Sequence, residues 1–225
     1  MTASNKRVEV ALPSAPCSGA PATHNPRACF APRRVGLMGG SFNPAHDGHL
    51  HLSLLALKHL RLDAVWWLVS PQNPLKPAAG MAGFGLRLAR AAPVARHPRL
   101  RVSDIEARLG TRHTVDTVAA LRRRFPRTRF VWLMGADNLV QLPAWHRWTR
   151  LFHAVPIAVF DRPPYFFKGM AGNAARRFGR QRVSARAARG LAEAAPPAWV
   201  FLHTRRNPAS ATAIRTRGGG KPRQR

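Results

Sequence analysis

The sequence is short of acid. Asp and Glu number 9 against 37 Lys and Arg, giving a formal net charge of +28 over 225 residues. An imbalance of that size points to anionic partners, either nucleic acid or nucleotide phosphates. The excess is largely Arg and sits among abundant Ala and Pro, as GC-rich coding gives. It lacks the interleaved aromatics of a single-strand platform. Salt-dependent, non-specific binding to nucleic acid is therefore expected, and a specific nucleic-acid partner is not. Cysteine is nearly absent: Cys17 and Cys29 both lie in the N-terminal region and read as two free thiols. No apolar run approaches the ~18 residues of a membrane span. The first 30 residues hold no apolar block of the kind that marks a secretory signal. No membrane partner and a cytoplasmic location are the expectations. Two familiar nucleotide loops are also missing. There is no G-x-x-x-x-G-K-[ST] string and no complete G-x-G-x-x-G, of which Gly83 and Gly85 form only a fragment.

What is present suits one α/β domain with extensions, or at most two small domains; 45% of the residues are hydrophobic, enough for a sizeable core. Residues 1–33 are rich in Ala, Pro, Ser and Thr without periodicity, and read as a disordered extension. The basic tail 218–225 reads the same way. Between them, apolar strands alternate with helical patterns. Strands are expected at Val35–Met38, Ala64–Val69, Leu100–Val102, Arg129–Met134, Pro156–Phe160 and Trp199–Leu202. Helices are expected at Asp47–Leu60, Leu86–Arg96, Thr114–Phe125, Trp145–Phe152 and Arg176–Ala194. Strands separated by helices imply a parallel sheet with helices on both faces. Such sheets bind ligands outside the carboxyl ends of their strands.

The unusual residues follow those strands. After the first comes Gly39-Gly40-Ser41-Phe42-Asn43-Pro44-Ala45-His46-Asp47-Gly48-His49. The two glycines let the backbone approach a ligand without Cβ interference. A helix beginning near Asp47 aims free N–H groups at the strand end, a setting that favours an anion. His46 and His49 are three apart and share a face there. Two imidazoles beside backbone donors suit a polyphosphate. A zinc site is the alternative for the pair, but no Cys or further carboxylate stands at ligand spacing, and no protein-held metal is expected.

This string resembles the signature of the HxGH nucleotidylyltransferase superfamily, whose fold is Rossmann-like. A second superfamily signature is matched by Ala209-Ser210-Ala211-Thr212-Ala213-Ile214-Arg215 near the C-terminus. The middle of the chain narrows the likeness. Met134-Gly135-Ala136-Asp137-Asn138-Leu139, then Trp145, then Pro156 through Arg162-Pro163, is similar to the nicotinate-nucleotide adenylyltransferases. So are Ser103-Asp104-Ile105-Glu106, Thr114-Val115-Asp116-Thr117, and the loop Pro71-Gln72-Asn73-Pro74-Leu75-Lys76.

The resemblance spans residues 34–217, taken as the nucleotidylyltransferase domain. It implies the joining of ATP and nicotinate mononucleotide into deamido-NAD and pyrophosphate, with Mg²⁺ arriving with ATP and no covalent enzyme intermediate. By that likeness His46 and His49 are the catalytic pair. Gly39, Gly40, Ser41, Phe42, His46, His49, Ser210, Thr212 and Arg215 bind ATP. Asn73, Lys76, Thr114, Asp137, Trp145 and His146 bind the mononucleotide, with a solvated surface lysine as the other reading of Lys76. The chain departs from the family at three places. His113 and His146 stand where an aromatic, usually Tyr, is common, and Ala211 replaces the second Ser of the C-terminal signature. Other readings are a pantetheine-phosphate type of transferase in the same superfamily, and, from a different class, a basic nucleic-acid-binding protein.

Overall fold

The computed structural model describes residues 33–72, 79–162 and 164–203. The expected N-terminal extension (apart from Arg33), the basic tail, Asn73, Lys76 and the whole 209–215 signature lie outside the described residues. Among the described residues, seven strands form one sheet, with every neighbouring pair parallel. The strands are β1 (Arg34–Gly40), β2 (Ala64–Val69), β3 (Leu100–Ser103), β4 (Arg129–Gly135), β5 (Ile157–Phe160), β6 (Arg182–Val183) and β7 (Trp199–Leu202). Their order is β3-β2-β1-β4-β5-β7-β6. From β1 the chain runs outward through β2 and β3, then returns to place β4 on the other side of β1. The reversal opens a crevice between the carboxyl ends of β1 and β4, the ligand position of open parallel sheets.

The helices are α1 (Asp47–His59), α2 (Phe84–Ala91), α3 (Ile105–Arg108), α4 (Thr114–Arg124), α5 (Ala136–Gln141), α6 (Trp148–Ala154), α7 (Phe166–Ala171) and α8 (Asn173–Arg177). Both faces of the sheet are covered. Met38, Trp67, Leu133, Phe160 and Leu202 share one cluster with Leu50 and Leu57 of α1, Ala91 of α2 and Leu191. The alternate residues of the strands point the other way. There Trp66 meets the Phe125 ring edge-on at 5.4 Å, just past α4. The Trp199 indole N–H donates to the Phe178 carbonyl at 2.6 Å. Buried on both sides, the central strands read as continuous apolar runs such as Val-Trp-Trp-Leu-Val at 65–69.

Element ends follow local chemistry. α2 stops at Ala91, five residues earlier than expected: Ala92 still has helical backbone (φ −57°, ψ −50°), but Pro93 has no N–H to continue the ladder. α4 ends at Arg124, before Phe125-Pro126, for the same reason. The single helix expected over Arg176–Ala194 is not there. α8 ends at Arg177, ahead of Gly179, and Val183 extends to pair with Val200. The Ser184 Oγ then accepts from the Arg186 N–H at 3.3 Å and starts a 3₁₀ segment, Ala185–Glu193, that buries Ala188, Leu191 and Ala192. The helix expected from Trp145 starts at Trp148, because Arg147 takes a left-handed conformation (φ 49°) ahead of it. His146 therefore stands in the connection before α6 rather than at its start.

Candidate active site

The loop after β1 is built closely around its signature residues. A Cβ on Gly39 would come within 2.6 Å of the Trp132 ring, so only glycine lets β1 pass that indole. Phe42 holds a left-handed conformation (φ 47°), uncommon for a bulky side chain and a mark of functional loops. Its ring is buried and stacks on Trp67 at 5.2 Å. The Ser41 hydroxyl oxygen is buried and has no hydrogen-bond partner among the described residues.

His46 caps α1. Its Nδ1 accepts from the Gly48 N–H at 3.1 Å, and the His49 Nδ1 accepts from the His46 N–H at 3.2 Å. An Nδ1 that accepts a hydrogen bond carries no proton, so each neutral ring keeps its N–H at Nε2. The backbone cap thereby sets the tautomer of both histidines. The rings lie 3.9 Å apart, and His49 also leans on Phe42 at 4.8 Å. The Ser53 hydroxyl donates to the His49 carbonyl at 2.8 Å and accepts from the Trp67 indole N–H at 2.8 Å, tying α1 to β2 below the site. His46 is 8% exposed. Burial, aided by the nearby Arg162 guanidinium and opposed by Asp47, lowers its pKa to about 4. His46 is therefore a neutral donor in neutral solution.

Across the crevice β4 runs directly into α5, a helix that the sequence reading did not foresee. A Cβ on Gly135 would collide with the Asp137 carboxylate, so the glycine lets that carboxylate lie against the chain. Asp137 Oδ2 accepts from Arg162 Nη1 at 2.8 Å, while Oδ1 is buried and unpartnered among the described residues. Trp145 packs edge-on against Trp132 at 6.3 Å, and His146 stacks on His113 at 4.2 Å. His113 is the N-cap residue of α4, and Thr114 is its first residue. Trp132 thus links Gly39 of the phosphate loop to the Trp145–His146 segment. Asn73, Lys76, Ser210, Thr212 and Arg215 are not placed, since they lie outside the described residues.

Three residues of the site escaped the sequence reading as site residues. Arg162 pairs with Asp137 and lies within electrostatic reach of His46; its signal was its place just after a strand, in a segment already noted. Arg87 is 2% exposed although it is the fourth residue of an amphipathic helix, and nothing in the periodicity separates it from a surface arginine. Glu106 is 7% exposed, and burial raises its pKa to about 7 against the lowering effect of a hydrogen bond with Ser70. Among the described residues no group of three or more His, Cys, Asp or Glu is poised to hold a metal ion, and no helix is long and apolar enough to cross a membrane.

The cytidylyltransferase-like family model matches residues 37–217. The chain is 58% identical over 186 residues to the probable nicotinate-nucleotide adenylyltransferase of Parvibaculum lavamentivorans, covering 83% of this chain and 92% of that one. It is 55% identical over 184 residues to the protein of the same name from Cereibacter sphaeroides, covering 82% and 97%. A solved structure of Plasmodium falciparum nicotinic acid mononucleotide adenylyltransferase complexed with NaAD aligns with a TM-score of 0.58 at 13% identity. It covers 82% of this chain and 83% of that one, and the likeness is one of fold.

Proposed function

Because the chain belongs to the nicotinate-nucleotide adenylyltransferase family, we propose that its β1–β4 crevice transfers the adenylyl group of ATP to nicotinate mononucleotide. The products are deamido-NAD and pyrophosphate. The observation that carries this reading is the reciprocal cap of His46 and His49 at the start of α1, which leaves two neutral imidazoles with fixed Nε2–H donors at the switch point of the sheet.

A phosphate oxygen of the mononucleotide attacks the α-phosphorus of ATP. The new P–O bond forms as the bond to the β-phosphate's bridging oxygen breaks, and pyrophosphate leaves with that electron pair. No group of the protein becomes covalently attached. The chain's contribution is positioning and neutralisation of charge. His46 and His49 donate to non-bridging phosphate oxygens, the dipole of α1 adds positive potential at its N-terminus, and the guanidinium of Arg162, paired with Asp137, stands beside them. Mg²⁺ enters as the companion of ATP, neutralising part of the triphosphate charge and retaining several of its waters. Gly39, Gly40, Ser41 and Phe42 form the backbone floor for the triphosphate, with Ser210, Thr212 and Arg215 assigned to the same ligand. Thr114, Asp137, Trp145 and His146 are assigned to the mononucleotide, and so, on the sequence resemblance alone, are Asn73 and Lys76.

A pyrophosphate-release assay with ATP and each of nicotinate mononucleotide, nicotinamide mononucleotide and phosphopantetheine tests this reading. Release with nicotinate mononucleotide, accompanied by deamido-NAD, is expected. Release with phosphopantetheine alone would overturn it.

A further inference from the structure

Arg87 is a buried cation with no carboxylate beside it. None of the ion pairs among the described residues includes it. Its guanidinium spends its donors on main-chain carbonyls instead. Nη1 donates to Ser41 O at 2.6 Å and to Ser70 O at 2.8 Å, Nη2 to Pro71 O at 2.7 Å, and Nε to Ala82 O at 2.9 Å. Those carbonyls belong to three separate stretches: the loop after β1, the loop after β2, and the approach to α2. Asn43 strengthens the same junction, donating to Gly80 O at 3.2 Å and accepting from the Ala82 N–H at 3.4 Å. The Ser70 N–H donates to Gly40 O at 2.9 Å.

Burying a charge is costly, and an apolar side chain of similar volume fills space at less expense. A guanidinium that contacts four carbonyls in three segments is suited to fixing their relative position. Its planar fork imposes directions that a lysine ammonium does not. The Ser41 carbonyl is the telling partner. In a planar trans peptide the carbonyl and the next N–H point opposite ways. Holding Ser41 O therefore also sets the direction of the Phe42 N–H, at the residue whose left-handed backbone turns the phosphate loop.

We propose that Arg87 is a positioning residue for adenylyl transfer. It locks the ATP-side loop after β1 to the loop after β2, which leads into the mononucleotide-side residues, and so fixes the distance and angle at which the two substrates meet. The inference rests on the reading of the crevice given above. The hydrogen bonds of Arg87 go to main-chain carbonyls, so its removal acts on the rate of transfer rather than on the binding of either substrate.

The test compares the full chain with Arg87→Lys and Arg87→Gln, at a temperature where circular dichroism shows all three folded. kcat and both KM values are read from pyrophosphate release with ATP and nicotinate mononucleotide. The clamp predicts a fall in kcat of about 10²-fold with KM values within a few-fold, the scale expected of a misplacement near 1 Å. Wild-type turnover with kcat within about twofold in both variants overturns the clamp alone. So does a loss that vanishes once rates are corrected for the folded fraction. Absence of wild-type turnover overturns the reading of the crevice and the clamp with it.

Discussion

In the proposed reaction the largest share of the chemistry falls to His49. Its Nδ1 is occupied by the His46 N–H, so Nε2–H is its donor, held by the cap and by the Phe42 ring. His49→Ala removes a preorganised donor to charge that develops in transfer. By analogy with oxyanion-hole donors, kcat falls on the order of 10²–10³-fold while ATP affinity changes far less. Steady-state kinetics beside calorimetric titration of an ATP analogue separates the two effects, and near-full turnover in His49→Ala would remove its catalytic role. His46 carries a pH consequence. The unfolded chain protonates this ring near 6.5, whereas the folded ring resists until about 4. The stability it confers is complete above pH 6.5 and is lost as pH falls toward 4. Melting temperatures between pH 7 and 4 should therefore decline less steeply in His46→Asn than in the wild type. Parallel declines would show that His46 is not the titrating group. Both histidines were legible in the sequence because glycine, proline and histidine at fixed offsets have few other uses. Their tautomers were not, since those depend on which backbone N–H each Nδ1 meets in space.

At the scale of elements, the central strands and α1 could be read from the sequence because hydrophobic runs, glycines and a helix cap agree there. α5 could not be. Gly135 marks the end of the strand, but α5 is six residues long, under two turns, too short to show a helical period in the sequence. The stretch 176–194 misled for the opposite reason. Ala and Arg favour helix locally, yet burial of Ala188 and Leu191 and the pairing of Val183 with β7 prevail. The short helix α3 carries a testable charge. Glu106 lies buried in its first turn, its pKa raised from 4.5 to about 7. Between those values the folded state holds a proton that the unfolded state has released. The stability this confers is present at low pH and is lost as pH rises through 7. Glu106→Gln keeps the shape and a neutral hydrogen-bonding group. It should melt about 5 °C or more above the wild type at pH 8, with the difference shrinking toward pH 5. A variant that melts below the wild type at pH 8 would mean that the ionised carboxylate is stabilising.

For the whole molecule, the order β3-β2-β1-β4-β5-β7-β6 is what composition and periodicity could not supply, and it is what brings the loop after β1 and the β4–α5 junction to one crevice. The reversal between β1 and β4 sets His46 and His49 opposite Asp137 and Arg162, residues about ninety positions or more apart in the chain. The N-terminal residues before Arg33 contain none of the matched motifs, and the family match begins at residue 37. A chain starting at Arg33 should keep its melting temperature and turnover; loss of folding would show that those residues pack on the domain. The fold and family lead to one chemical choice, a carboxylate over a carboxamide on the pyridine ring. Thr114 opens α4, where backbone N–H groups lack helical partners. The stacked imidazoles of His113, the N-cap residue of α4, and His146 lie beside it. A carboxylate accepts from several such donors, whereas the NH₂ of an amide would face one of them and leave it unpaired. The most direct test is therefore kcat/KM for nicotinate mononucleotide against nicotinamide mononucleotide, measured with saturating ATP on one preparation. The structure predicts a preference for the acid of roughly 10²-fold or more; equal values for the two would contradict it.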